Sequence, residues 1–195
     1  MHNRTRVILT NIGLCEVELE HVEREFLHQV QDRPAGFGLI GTAGVGKTIH
    51  LARRLFLAVQ DCVEDSGRLA RTTVPHRFAR WRNWVETAET LKFWISHDFS
   101  DDVAELVEQL SECRELYLDD VGQERIVGPD DYALGLLRSI LDARYRAKLP
   151  VFWTSNLEIR DLNKIYGTRT ISRLVSAWPP IPLKGPDLRL ARRAS

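Results

Sequence analysis

Apolar residues recur along this chain with two alternating periods. From 14 to 30 they fall at Leu14, Val17, Val22, Phe26, Leu27 and Val30, the spacing of one face of an amphipathic helix. Arg33-Pro34-Ala35-Gly36 ends that segment. Residues 37–40 are a short apolar run that predicts a buried strand. Residues 41–46 are glycine-rich, and the helical period returns from 47 to 60 through Leu51, Leu55 and Val59. Residues 69–74 predict a second strand, and 78–95 a long helix rich in Trp and Arg. Asp101-Asp102 starts a further helix reaching about Cys113, because acidic side chains favour a helix N-terminus. Residues 115–118 predict a strand ending in Asp119-Asp120. Residues 130–147 predict a helix with Leu136, Leu137, Ile140 and Leu141 on one side, and 150–154 a strand running to Asn156. Short helices follow near 158–166 and 168–177, before Pro179, Pro180 and Pro182 break the chain.

Strands and helices alternating with short connections argue an α/β fold, a three-layer sandwich around a mostly parallel central sheet. The 195 residues suffice for one domain with a substantial core, expected over 36–195. Residues 1–35 are expected as an N-terminal helical extension packed on it. No internal repeat or low-complexity stretch interrupts the pattern.

Charge removes one shortcut to function. Lys plus Arg number 27 and Asp plus Glu number 27, so only local clustering can make a nucleic-acid surface. Cys15, Cys62 and Cys113 are odd in number and form no CxxC pair, which suits buried thiols in a reducing interior. No apolar run approaches a membrane span, no secretory signal opens the chain, and the His residues lack metal-ligand spacing. A cytoplasmic protein with no membrane partner is expected.

Gly41-Thr42-Ala43-Gly44-Val45-Gly46-Lys47-Thr48 fits GxxxxGK[ST] at every fixed position, between an apolar strand and a helical pattern. Glycines allow the tight turn that aims successive N–H groups at phosphate oxygens, and the helix N-terminus adds partial positive charge. Lys47 can reach β- and γ-phosphates, and Thr48 can offer its hydroxyl to Mg2+. The expected ligand is a nucleoside triphosphate, with ATP and Mg2+ as cofactors.

Asp119 and Asp120 close an apolar strand, and ligands in open α/β sheets gather at the carboxyl ends of strands. Asp119 is assigned to the metal and Asp120 to the attacking water as general base. A solvated Asp-Asp turn is the bland alternative. Asn156 has two readings, contact with the γ-phosphate or its water, and a cap on the next helix.

In this order, Gly41 to Thr48, Leu116 to Gly122 (LYLDDVG), Arg144-Tyr145, Thr154-Ser155-Asn156, Gly167 to Leu174 (GTRTISRL), then Gly185, Asp187 and Arg189 resemble the AAA+ ATPases. The resemblance spans about 36–190. It is to the branch containing replicative-helicase loaders of the DnaC type and transposition ATPases of the IstB type. It implies an AAA+ core, Walker B at Asp119 and Asp120, and sensor 1 at Asn156. It further implies an arginine finger in the stretch 167–174, with Arg173 the better match and Arg169 the runner-up. A finger acts on a neighbouring subunit, so self-association through the ATP site is implied. With the sequence ending soon after Arg189, no helical lid domain or sensor-2 arginine is expected.

Arg71, His76, Arg77, Arg80 and Arg82 mix with Phe78, Trp81 and Trp84, a combination suited to single-stranded DNA, since cations track phosphates and aromatic faces stack on bases. Trp81 and Trp84, three apart in a helix, suit a core equally well. The leading expectation is an ATP-hydrolysing protein that assembles on DNA and acts on a replicative helicase. The alternatives are an ATPase assisting a transposase, a nucleotide-gated scaffold with little hydrolysis, and a small-molecule kinase. A GTPase is disfavoured, because Asn163-Lys164-Ile165-Tyr166 lacks the Asp of the base-reading NKxD motif.

Overall fold

A computed structural model describes residues 35–65, 78–126, 128 and 131–187. The expected helix over 14–30, the extension over 1–35 apart from its last residue, and the strand over 69–74 lie outside the described residues. The elements run β1 (Phe37–Ile40), α1 (Lys47–Asp65), β2 (Ala79–Asn83), α2 (Trp84–Ser96), α3 (Ser100–Glu112), β3 (Glu115–Asp119), α4 (Tyr132–Ala147), β4 (Val151–Ser155), α5 (Ile159–Tyr166), α6 (Thr168–Ala177) and β5 (Pro180–Pro182). The strands form one sheet in the order β2-β3-β4-β1-β5, and every pair is parallel.

The alternation of side chains along each strand builds the layers. Phe37, Leu39, Trp81, Tyr117 and Phe152 point to one face, where Leu51, Ala52, Leu55 and Val59 of α1 cover them. Leu116, Leu118, Val151 and Trp153 point to the other, against Leu91 of α2, Leu106 of α3, Leu137 and Ile140 of α4, and Leu174 of α6. Across the sheet, Arg54 of α1 pairs with Glu115 at the start of β3 at 3.3 Å, and the Tyr117 hydroxyl donates to the same carboxylate at 2.6 Å. That contact fixes α1, and with it the phosphate loop, relative to β3.

Gly38 and Trp153 are register partners on adjacent strands, and a Cβ on Gly38 would lie 2.2 Å from the Trp153 ring. The indole crosses β1 in the space the missing side chain leaves, and its N–H donates to the Trp178 carbonyl at 3.1 Å. At the opposite pole from the strand ends, Arg144 is wholly buried. Its guanidinium donates to the carbonyls of Leu110, Ser111, Cys113, Arg114 and Pro150, gathering the end of α3 and the starts of β3 and β4.

Two expectations need correction. The long helix over 78–95 is a strand, β2, followed directly by α2. Ala79 and Trp81 pack on one face while Arg80 and Arg82 alternate to the other, and Asn83 caps α2 by accepting from the N–H groups of Val85 and Glu86. The prolines near 180 do not break the chain. Pro180 and Pro182 lie in β5, an edge strand, the one place in a sheet that tolerates missing N–H groups.

Candidate functional site

All five strands point the same way, so their carboxyl ends converge on one rim. The loop from Gly41 leaves β1 there and enters α1 at Lys47. Gly44 has φ of 82° and Gly46 of 92°, the left-handed conformations the tight turn needs. The Lys47 ammonium is almost fully buried and donates to the carbonyls of Gly41 at 2.9 Å and Thr42 at 2.8 Å, which holds it over the loop. The Asp187 carboxylate lies against the same turn, where a Cβ on Gly44 would come within 2.0 Å of its Oδ1. An anionic side chain therefore lies close against this turn.

Thr48, in the first turn of α1, donates its hydroxyl to both oxygens of Asp119, at 3.2 and 3.0 Å. Asp119 ends β3 and is 2 % exposed. One hydroxyl and one carboxylate on adjacent elements form a hard oxygen donor pair that suits Mg2+, which keeps most of its waters and takes phosphate oxygens for the rest. No cluster of three His, Cys, Asp or Glu side chains with metal-binding geometry occurs among the described residues.

Asp120 follows with φ of 59°, a left-handed backbone that Asp tolerates better than most side chains. Asn83 at the end of β2 donates to its carboxylate at 3.3 Å, whereas the Thr48 hydroxyl donates to that of Asp119. Asn156 sits half-buried just beyond β4, on the same rim. Thr154, wholly buried one turn of the strand earlier, donates to Asp119 at 2.5 Å and accepts from the Asp120 N–H at 2.9 Å. The strand end is anchored by Ser155, which donates to the Val121 carbonyl at 2.6 Å.

The predicted arginines lie on α6. Arg173 pairs with Asp142 of α4 and stands 5.7 Å over the Tyr145 ring. The Asp142 hydrogen bond raises its pKa further. Arg169, one turn earlier, is exposed. Behind them, Glu124 accepts from the Gly122 N–H at 2.9 Å and from the Tyr166 hydroxyl, tying the loop after Asp120 to the junction of α5 and α6.

The Arg-Trp cluster does not form a base-stacking surface. Trp81 is 2 % and Trp84 0 % exposed, each in the packing between sheet and helices, and Arg80 is 6 % exposed. Arg71, His76 and Arg77 lie outside the described residues. Sequence reasoning also missed Asn83, Thr154 and Glu124 as members of the site. Asn83 left a signal, a cap residue directly before an apolar run. The other two hydroxyl and carboxylate contacts depend on chain segments 30 or more residues apart and leave none.

No protein-family model and no curated protein matches the sequence. Among solved structures, the chain is similar to the DnaC helicase loader, with 19% identity and a TM-score of 0.59 over 94% of this chain and 100% of that one. It is similar to DnaI, with 21% identity and a TM-score of 0.51 over 97% of this chain and 94% of that one. Similarity to AMPPCP-bound DnaA from Aquifex aeolicus, 16% identical with a TM-score of 0.53, covers 92% of this chain and half of that chain. The chain therefore shares the α/β fold of these solved structures.

Proposed function

We propose that the chain binds ATP with Mg2+ and hydrolyses it, as a helicase-loader-like AAA+ protein that assembles on DNA and acts on a replicative helicase. The observation that carries the chemical part of this reading is the Thr48–Asp119 hydrogen bond pair. It joins the end of the phosphate loop to the end of β3 across 71 residues of sequence. The client follows from the motif resemblance and from the shared fold with a protein described as a helicase loader.

In this reading the N–H groups of Gly41, Thr42, Ala43, Gly44, Val45 and Gly46 cradle the phosphates, and Lys47 swings from the Gly41 and Thr42 carbonyls to the β- and γ-oxygens. Thr48 and Asp119 would hold Mg2+, which would supply charge neutralisation for phosphoryl transfer. Asp120 takes the proton of the attacking water, and Asn156 orients that water or the γ-phosphate. Asp187 must leave Gly44 before the phosphates arrive, since two anions cannot share one turn. Lys47→Ala weakens ATP binding by at least about tenfold, roughly 1.4 kcal/mol. Unchanged ATP affinity by calorimetry in a folded Lys47→Ala protein rejects the phosphate-loop reading.

Arg173 completes the site of a neighbouring subunit, exchanging its Asp142 partner for the γ-phosphate on assembly. Arg173→Ala then binds ATP normally and hydrolyses it slowly. Mixing it with Lys47→Ala protein restores part of the activity, because one chain donates the arginine and the other the pocket. If mixing restores nothing for Arg173→Ala and succeeds for Arg169→Ala, the exposed Arg169 is the trans-acting residue. Turnover that rises on adding single-stranded DNA and helicase supports the client; indifference to both favours a scaffold or another substrate.

A further inference from the structure

Thr154 is a positioning residue for the Asp119 carboxylate and the Asp120 backbone, we infer, and through Asp119 it sets the affinity for the divalent cation. This rests on the ATP and Mg2+ reading above and adds a residue to it. A threonine hydroxyl has one proton to donate and two lone pairs to accept with. Here the proton goes to Asp119 Oδ1 at 2.5 Å, and one lone pair takes the Asp120 N–H at 2.9 Å. The side chain is wholly buried in β4, so water cannot substitute for either contact. The neighbouring backbone is fixed as well, because the Thr154 carbonyl accepts from the Val121 N–H at 2.9 Å.

The consequence for Asp119 is directional. A carboxylate is free to turn about its Cβ–Cγ bond unless something holds an oxygen. Thr154 holds Oδ1 from the sheet side. Oδ2 is then turned toward Thr48, whose hydroxyl lies 3.0 Å from it and 3.2 Å from Oδ1. Thr154 thereby limits how the Asp119 carboxylate can turn, and so which lone pairs it could offer a cation. For Asp120, the accepted N–H helps hold its left-handed backbone. Outer residues that orient a metal ligand typically change metal affinity by about 10- to 100-fold when lost.

The test compares wild type, Thr154→Val and Thr154→Ser by calorimetry with a non-hydrolysable ATP analogue, once with Mg2+ and once with EDTA. Direct Mn2+ titration by electron paramagnetic resonance is the second readout. Thr154→Val keeps the branched shape and loses the hydroxyl. It is expected to bind Mn2+ about tenfold more weakly, with its affinity for the analogue lowered with Mg2+ and unchanged in EDTA. Thr154→Ser restores the hydroxyl and stays within about twofold of wild type. Equal weakening of Thr154→Val with and without the cation means general damage to the fold and overturns the inference, as does a variant with normal Mn2+ binding. If Thr154→Val does not fold, Thr154→Ser and Thr154→Ala carry the same comparison, and no difference between them overturns it. A wild-type protein that binds the analogue without any response to Mg2+ removes the metal reading itself, and the inference with it. A wild type that responds, beside a Thr154→Val protein that responds equally, removes only the role of Thr154.

Discussion

In a folded Asp120→Asn protein, ATP hydrolysis falls by about 10²- to 10⁴-fold while ATP affinity stays near that of wild type. Asn has the shape of Asp and still accepts the hydrogen bond from Asn83, so the rim keeps its geometry. What it lacks is the charge that draws a proton from water. Asp119→Asn acts differently, since it removes a charge that Thr48 and Thr154 both address, and its loss shows in the Mg2+ dependence of binding. Single-turnover rates and calorimetry on both variants separate the roles. Retained hydrolysis in Asp120→Asn beside lost hydrolysis in Asp119→Asn reverses the assignment of base and metal ligand.

Arg144→Ala destabilises the fold by at least about 3 kcal/mol, because each buried carbonyl left without a donor costs about 1–3 kcal/mol. Five carbonyls lose the guanidinium at once, of which Pro150 keeps the Leu116 N–H and Leu110 the Cys113 thiol, and a cavity opens at a site with no exposure. The guanidinium has no carboxylate in ion-pair contact among the described residues; burial lowers its pKa, and the carbonyl dipoles hold it in place. Arg144→Lys recovers little, since an ammonium on a single stem cannot span carbonyls from α3, β3 and β4. For a chain this size the loss corresponds to a fall in Tm of about 6–12 °C, read by thermal denaturation. A fall of under about 2 °C for Arg144→Ala removes the role assigned to this residue.

Much of this was legible in the sequence where chemistry sits at the end of a regular element. The phosphate loop follows an apolar run, and Asp119-Asp120 closes another. The period that predicted α4 also set its buried face, through Leu137, Ile140 and Leu141. β2 was hidden because Arg80 and Arg82 read as polar although both lie within the strand, and Arg80 is 6 % exposed. No glycine or proline separates β2 from α2, so Trp81 and Trp84 at helical spacing masked a strand and the start of a helix. Arg144 appeared in the sequence as part of a resemblance with no role attached; its five partners come from separate segments that only the fold assembles. Thr154 illustrates the same limit, since its importance lies in which two residues of β3 and its turn it touches.

The two prolines of β5 also determine how copies of this chain can meet. The Leu183 N–H donates to the Ile40 carbonyl at 2.7 Å, so the odd-numbered nitrogens of this edge face β1. Residues 180 and 182 alternate with them, and their nitrogens face outward. Both are proline and have no hydrogen to give. The outer edge of the sheet on this side is thus short of donors along its whole length, and an incoming strand would find few bonds to form. Growth of the sheet from chain to chain is blocked at β5. Were copies of this chain to associate on this side, the contact would fall to helices and loops rather than to strand pairing.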